Sequence, residues 1–245
     1  MDFSLSEEQQ DVQALAAQIL TQEVTVDRLK ALESGEERFD EALWQQLGES
    51  GLLGTAIAEK HGGMGFDFET LCLLIEEVGK TVAPLPVIPV LAGAAQTLQQ
   101  FASEALCERW LSGVASGKTL LTVALTEPGR DDPTQPATRL EPAGAGWALH
   151  GQKGMVVCAD RASAVLLTAR LEGELVLLAI DPNARGVALT PQHVTTGEPQ
   201  FSLHFDAAPV TQEDIIATGA SARCAIQSMV AAPSCTSPIL WLTPV

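Results

Sequence analysis

The chain has 245 residues, of which 46% are hydrophobic, enough to form the core of one large domain or two moderate ones. Its formal charge of -17, from 31 acidic and 14 basic residues, argues against binding to nucleic acid or to an anionic membrane surface, since both need clustered Lys and Arg. The five cysteines contain no CxxC pair and the four histidines no HxxH pair, so we predict no metal site. The acidic start and the lack of a long apolar stretch favour a cytoplasmic protein that does not span a membrane.

Amphipathic periodicity predicts helices at the start of the chain. Ser4 and Glu7 have the spacing of a capping box. After them, apolar residues recur every three or four positions, as one face of a helix requires: Val12, Leu15, Ala16 and Ile19. Asp40 is placed to cap a second helix, which would end just before Gly51.

A third helix is predicted from Glu69 to Val78, with Glu76 and Glu77 on its solvent side. The prolines that follow, at positions 84, 86 and 89, predict an extended stretch because proline removes a backbone donor and restricts the residue before it. Two further helical segments are expected, at residues 92–101 and 104–112.

Beyond about residue 118 the pattern changes to short β-prone runs separated by Gly, Pro and Asp-rich turns. These runs cover residues 121–125, 147–150, 155–158, 164–169, 175–180 and 200–205. Their regular spacing predicts a compact barrel or sandwich. The fold class is therefore expected to be α+β, with an all-α domain over residues 1–118 and a β domain over residues 119–214.

The last segment, residues 215–245, is nearly uncharged, since Arg223 is its only charged residue. A helix starting at Ile216 is expected to end before Pro233, with Pro238 following. We interpret this segment as the start of a further helical domain.

Several motifs, in one order along the chain, resemble the acyl-CoA dehydrogenase family. The opening MDFSLSEEQ is similar to the entry into that family's first helix, and LGESGLLGTAIAEKHGGMGFDFETLCLLIEEVGK resembles its signature loop and the helix after it. Leu125-Thr126-Glu127-Pro128-Gly129 looks like the family's "TEP" turn, and His150-Gly151-Gln152-Lys153 looks like its "NGxK" turn. The resemblance covers about residues 1–210. It implies a helical domain, a β domain and, in complete members, a carboxy-terminal helical bundle.

The resemblance also implies a flavin site. FAD would lie along the β domain, against Leu125, Thr126, Met155 and Val157. Met155 and Val157 stand where the family usually has an aromatic residue and a threonine, and neither can donate a side-chain hydrogen bond. Asp132 stands where a serine commonly meets the diphosphate, and an anion is unfavourable there.

No catalytic residue is assigned. The family's base, a glutamate in most members, belongs to the carboxy-terminal bundle, and no Asp or Glu follows Asp214. We therefore expect a chain truncated before that bundle. The substrate implied by the resemblance is an acyl-CoA thioester, and the chain is expected to form a homo- or hetero-oligomer.

Three functions stay open at this point. The chain is a truncated acyl-CoA dehydrogenase-like protein that is inactive alone, a non-catalytic subunit of a complete homologue, or an acyl-CoA- or protein-binding module. The residues do not reveal the acyl-chain specificity.

Overall fold

The computed structural model describes residues 4–35, 38–130 and 132–236, and it confirms the α+β fold class. The α-helices are α1 (Glu7–Glu23), α2 (Val26–Ser34), α3 (Glu41–Glu49), α4 (Phe68–Thr81), α5 (Gln96–Phe101), α6 (Glu104–Ala115) and α7 (Gly219–Thr236). The strands are β1 (Leu121–Ala124), β2 (Arg139–Ala143), β3 (Gly146–Val157), β4 (Ala164–Leu171), β5 (Glu174–Ile180), β6 (Val187–Gln192), β7 (Gln200–Val210) and β8 (Ile215–Thr218). The change from helices to strands falls between α6 and β1, close to the expected residue 118.

Helix α1 begins two residues later than the sequence indicates. Its capping box is formed by Ser6 and Gln9, not by Ser4 and Glu7: Ser6 Oγ accepts from the Gln9 amide at 3.2 Å, and the Ser6 amide donates to Gln9 Oε1 at 3.0 Å. The two pairs have the same spacing, so sequence alone does not separate them. Leu15, which the prediction placed on the apolar face of α1, is 38% exposed.

Helix α3 starts at its predicted cap, Asp40, and helix α4 starts at Asp67, a cap that was not predicted. Asp40 Oδ1 accepts from the Leu43 amide at 3.0 Å, and Asp67 Oδ1 accepts from the Thr70 amide at 2.9 Å. The prediction that Glu77 faces solvent was wrong. Its side chain is buried and accepts hydrogen bonds from Gln13 on α1, at 2.9 Å, and from Lys80, at 2.8 Å. Glu77 therefore joins α1 to α4.

The proline-rich stretch is extended only through Pro86. Pro89 lies inside a π-helical segment, Ile88–Ala95, that continues directly into α5. This segment packs on β1 so closely that a Cβ added to Gly93 would lie 3.2 Å from Val123 Cγ1. Proline is accommodated because it stands in the first turn, where its missing N–H has no helical partner in any case.

The eight strands form one sheet with the order β6-β7-β3-β2-β4-β5-β8, and β1 pairs with β4 in parallel. Strand β3 unites two runs that the sequence separates, because Gly151 to Gly154 continue the strand instead of forming a turn. Strands β2, β6 and β8 and helix α2 were not predicted. The polar, turn-rich composition of β2 and β6, each of which contains a proline, explains their absence from the prediction.

Helix α7 packs on β5, β8 and the π-helical segment, and it buries Ala222, Ala225, Ile226 and Met229. It begins three residues after Ile216, which belongs to β8, and it continues past Pro233, contrary to the prediction. The apolar packing of its first three turns outweighs the single backbone hydrogen bond that proline removes near its end. Pro238 lies outside the described residues.

Within the described ranges, no helix combines the length and the hydropathy that crossing a membrane requires.

Candidate functional site

The site begins where β1 ends. Leu125 and Thr126 follow β1 directly, and Leu125 is half-buried while Thr126 is exposed. An isolated bridge joins Thr126 to Gly154 in the middle of β3: the Gly154 amide donates to the Thr126 carbonyl oxygen at 3.0 Å. The structure thus brings together the two chain segments that the sequence assigned to one site.

Met155 lies on a β-bulge. The register between β3 and β7 shifts between Lys153 and Val156, and Met155 has φ of 57°. Left-handed backbone is costly for a residue with a side chain, and bulges commonly redirect side chains at functional sites. The bulge leaves the Met155 side chain 58% exposed, and Val157 beyond it is half-buried.

A buried ion pair stands behind this surface. Lys153, fully buried, donates from Nζ to Glu127 Oε1 at 2.8 Å and to Thr168 Oγ1 on β4 at 2.9 Å. Glu127 also accepts from the backbone amides of Ala137, at 2.6 Å, and Thr138, at 3.1 Å. Since Glu127 follows Thr126 and Lys153 precedes Gly154, we call these two residues the Glu127–Lys153 clamp. The clamp holds both halves of the site from inside.

The charges of the clamp follow from its contacts. Burial opposes ionisation of Glu127, but the hydrogen bonds from Lys153 and Thr138 outweigh it and lower the pKa of the Glu127 carboxyl. Burial lowers the pKa of Lys153, and the hydrogen bond to Glu127 offsets part of that effect. The lowered pKa favours the Glu127 carboxylate, which is paired with Lys153 instead of being a free base.

The clamp was not predicted, although the motifs contained both of its residues. The available signal was the alternation of β3, where Leu149 and Lys153 lie an even number of residues apart and so face the same side of the sheet. Leu149 is an ordinary core residue, and a lysine on that side needs a buried acid as its partner.

Asp132 makes hydrogen bonds within its own loop. Its Oδ1 accepts from the Thr134 amide, at 2.8 Å, and from Thr134 Oγ1, at 2.6 Å, and its Oδ2 accepts from Gln135 Nε2 at 3.0 Å. The hydrogen bond from the Thr134 hydroxyl lowers the pKa of the Asp132 carboxyl. The carboxylate therefore stabilises the turn of its own loop, although its negative charge remains in that loop.

Two features fit a flavin ring beside this surface. Among the described residues the Thr126 hydroxyl makes no hydrogen bond, so it is available as a donor. A Cβ added to Gly154 would meet no atom within 4 Å, which shows open space over the middle of β3. With the exposed Met155 thioether beside it, this surface offers an apolar contact and one hydroxyl donor. The anionic loop at Asp132 is the one element that does not favour the diphosphate.

The surface is one wall and not a closed pocket. Two crevices in the described part of the chain, of about 580 and 470 Å³, share Phe39, Asp160 and Arg161 and include none of the four predicted flavin residues. Nor do any three His, Cys, Asp or Glu residues gather as metal ligands in that part of the chain.

Comparison with known proteins agrees with this architecture. The family described as "Acyl-CoA dehydrogenase, N-terminal domain" matches residues 6–118. Acyl-CoA dehydrogenase FadE27 of Mycobacterium tuberculosis is 31% identical over 197 residues, which are 80% of this chain and 52% of that protein.

Two solved structures extend the likeness into the β domain. The "Tcur3481-Tcur3483 steroid ACAD G363A variant" is 35% identical with a TM-score of 0.85, and the match covers 95% of this chain and 63% of that one. An acyl-CoA dehydrogenase from Bacillus anthracis complexed with FAD shares the fold, with 21% identity, a TM-score of 0.84 and coverage of 95% and 41%. The chain spans about half the length of the curated relative FadE27.

Proposed function

Because the chain belongs to the acyl-CoA dehydrogenase family, we propose that it takes part in the FAD-dependent α,β-dehydrogenation of an acyl-CoA thioester. Its part is to supply one wall of the flavin site. The observation that carries this proposal is the union of Thr126 with the Gly154–Met155 bulge on an open surface, with the Glu127–Lys153 clamp behind it.

The residues of the wall have separate tasks. The Thr126 hydroxyl would donate a hydrogen bond to the ring, and Met155 would pack its thioether on it, a contact that sulfur makes favourably with aromatic systems. Leu125 and Val157, both half-buried, would exclude water from the ring. FAD, when bound, supplies the acceptor for the hydride that leaves the β-carbon of the acyl chain.

Removal of the α-proton needs a carboxylate beside it. Glu127 is the acid next to the wall, but it is buried and paired with Lys153, so it does not serve as that base. We assign no catalytic base among the described residues.

A second function is favoured by the pairing of Glu127 with Lys153 and by the two-protein name of the steroid relative. In it, the chain is a non-catalytic subunit or an acyl-CoA- or protein-binding module that pairs with a complete homologue. In either role we propose an oligomer of identical or related chains and a fatty or steroid acyl-CoA as the substrate class.

The test is an absorbance spectrum of the purified chain after addition of FAD and desalting, followed by addition of an acyl-CoA and an electron acceptor. A retained flavin band supports the wall. Bleaching that occurs only with an added full-length homologue, together with co-purification of the two chains, supports the subunit role. Failure to retain flavin both alone and with the homologue would overturn the proposed function.

A further inference from the structure

The bulge at Met155 leaves one backbone donor without a partner in the sheet. In the register of β3 with β7, Lys153 pairs with Leu203 and Val156 with Phe201, and Met155 has no partner between them. Left-handed backbone adds strain at the same residue, so a hydrogen bond from outside the ladder would stabilise this conformation.

Gln192 provides that hydrogen bond. It is the last residue of β6, which pairs only with β7, yet its Oε1 accepts from the Met155 amide at 2.8 Å. The contact spans 37 positions of sequence and crosses β7 to reach β3. A side chain that reaches over a whole strand requires length and an acceptor at its end, and glutamine has both.

The bulge is thus held from two directions. On one side the Gly154 amide donates to the Thr126 carbonyl oxygen at 3.0 Å, and on the other the Met155 amide donates to Gln192. The amides of Gly154 and Met155 donate to partners on opposite sides of β3. Together these two bonds set the direction in which the bulge projects. The 58% exposed Met155 side chain takes its direction from this arrangement.

We propose that Gln192 is a positioning residue for the flavin wall: its carbonyl oxygen holds the left-handed Met155 and so directs the thioether toward the ring. The proposal rests on the proposed function for the identity of the ring. The geometry of the bulge itself stands without it.

The test compares Gln192→Leu, which removes the acceptor at similar size, with Gln192→Glu, which keeps an acceptor oxygen. Thr190→Val, on the exposed side of the same strand, is the matched control for loss of a polar group from β6. The first readout needs no flavin: amide hydrogen exchange at Met155 in the full chain. Exchange in Gln192→Leu is expected to rise about tenfold, the equivalent of one ordinary hydrogen bond. Gln192→Glu and Thr190→Val are expected to stay near wild type.

The second readout is a methyl spectrum of the chain labelled with ¹³C at the methionine methyl groups, recorded as FAD is added. In wild type the Met155 methyl signal is expected to shift while that of the buried Met229 does not, and Gln192→Leu is expected to reduce this shift. Unchanged exchange at Met155 in Gln192→Leu would overturn the positioning role whatever FAD does. Faster exchange with no response of wild type to FAD would uphold the role of Gln192 at the bulge and refute the proposed function instead.

Discussion

Replacing Lys153 with methionine tests the clamp, because methionine fills similar space but cannot pair with Glu127. Nζ of Lys153 makes two hydrogen bonds, to Glu127 at 2.8 Å and to Thr168 at 2.9 Å, and both residues of the pair are nearly free of solvent contact. Removal of one partner of a buried ion pair costs about 3–5 kcal/mol, because the other charge stays buried and unpaired. Glu127 retains its two backbone donors, so we expect a loss near the lower end, about 3 kcal/mol.

The companion variant is Glu127→Gln combined with Lys153→Met. Glutamine has one carbonyl oxygen where the carboxylate has two, so it keeps one of the bonds from the Ala137 and Thr138 amides while its NH2 group faces the other amide; it carries no charge that needs a partner. The double variant is therefore expected to recover part of the loss and to be about 1 kcal/mol more stable than Lys153→Met. The assay is urea unfolding followed by circular dichroism, with hydrogen exchange of β3 peptides to locate the effect.

The pH dependence of the clamp gives an independent check. The pKa of Glu127 is lower in the folded chain than in the unfolded chain. The ionised carboxylate therefore adds to the free energy of unfolding at pH values above its unfolded pKa. That contribution is lost as the pH falls through the folded pKa. Wild type is expected to lose more stability than the double variant between neutral and acid pH. A Lys153→Met loss under about 1 kcal/mol, or a double variant no more stable than the single, would show that the ion pair does not stabilise the fold.

Three further predictions concern other parts of the fold. Burial raises the pKa of the Cys158 thiol to about 12, so iodoacetamide at neutral pH is expected to label the exposed Cys224 and spare Cys158 until urea is added, as peptide mass mapping would show. Val82 is 74% exposed with φ of 54°, so Val82→Asn is expected to raise the free energy of unfolding by about 1 kcal/mol, and an unchanged or lower value would contradict the strain. Asp40→Asn keeps the cap of α3 but weakens the pair with Arg28, at 2.6 Å, and is expected to cost about 1.5–3 kcal/mol in urea unfolding, less than Asp40→Ala.

The sequence predicts those parts of the fold that local chemistry determines. The helix cap at Asp40, the apolar face of α4 and the core strands β4 and β5 all follow from residue type and period. Local chemistry does not separate Ser4–Glu7 from Ser6–Gln9, because the two pairs offer the same bonds. It also does not reveal that Glu77 is buried, since that depends on Gln13 from another helix.

The candidate site shows the same division. The motifs carry Thr126 and Met155 to one place, but the bulge at Met155 depends on a register shift against β7 and on a glutamine 37 positions away. The clamp likewise joins residues 26 positions apart, and its pairing becomes visible only when β3 places Lys153 on the buried side of the sheet. Long-range contacts of this kind are set by the assembled sheet.

If Thr126 and the Met155 bulge form one wall of a flavin site, an equilibrium titration with FAD detects it. Wild type is compared with Met155→Glu, which puts a charge against the ring, and with Val26→Glu, which adds the same charge at a 66% exposed position on α2. Binding is expected in wild type and in Val26→Glu, with affinity weakened at least about tenfold in Met155→Glu because a charge loses hydration beside the ring. Equal affinities in all three proteins, or no binding in wild type, would contradict the account.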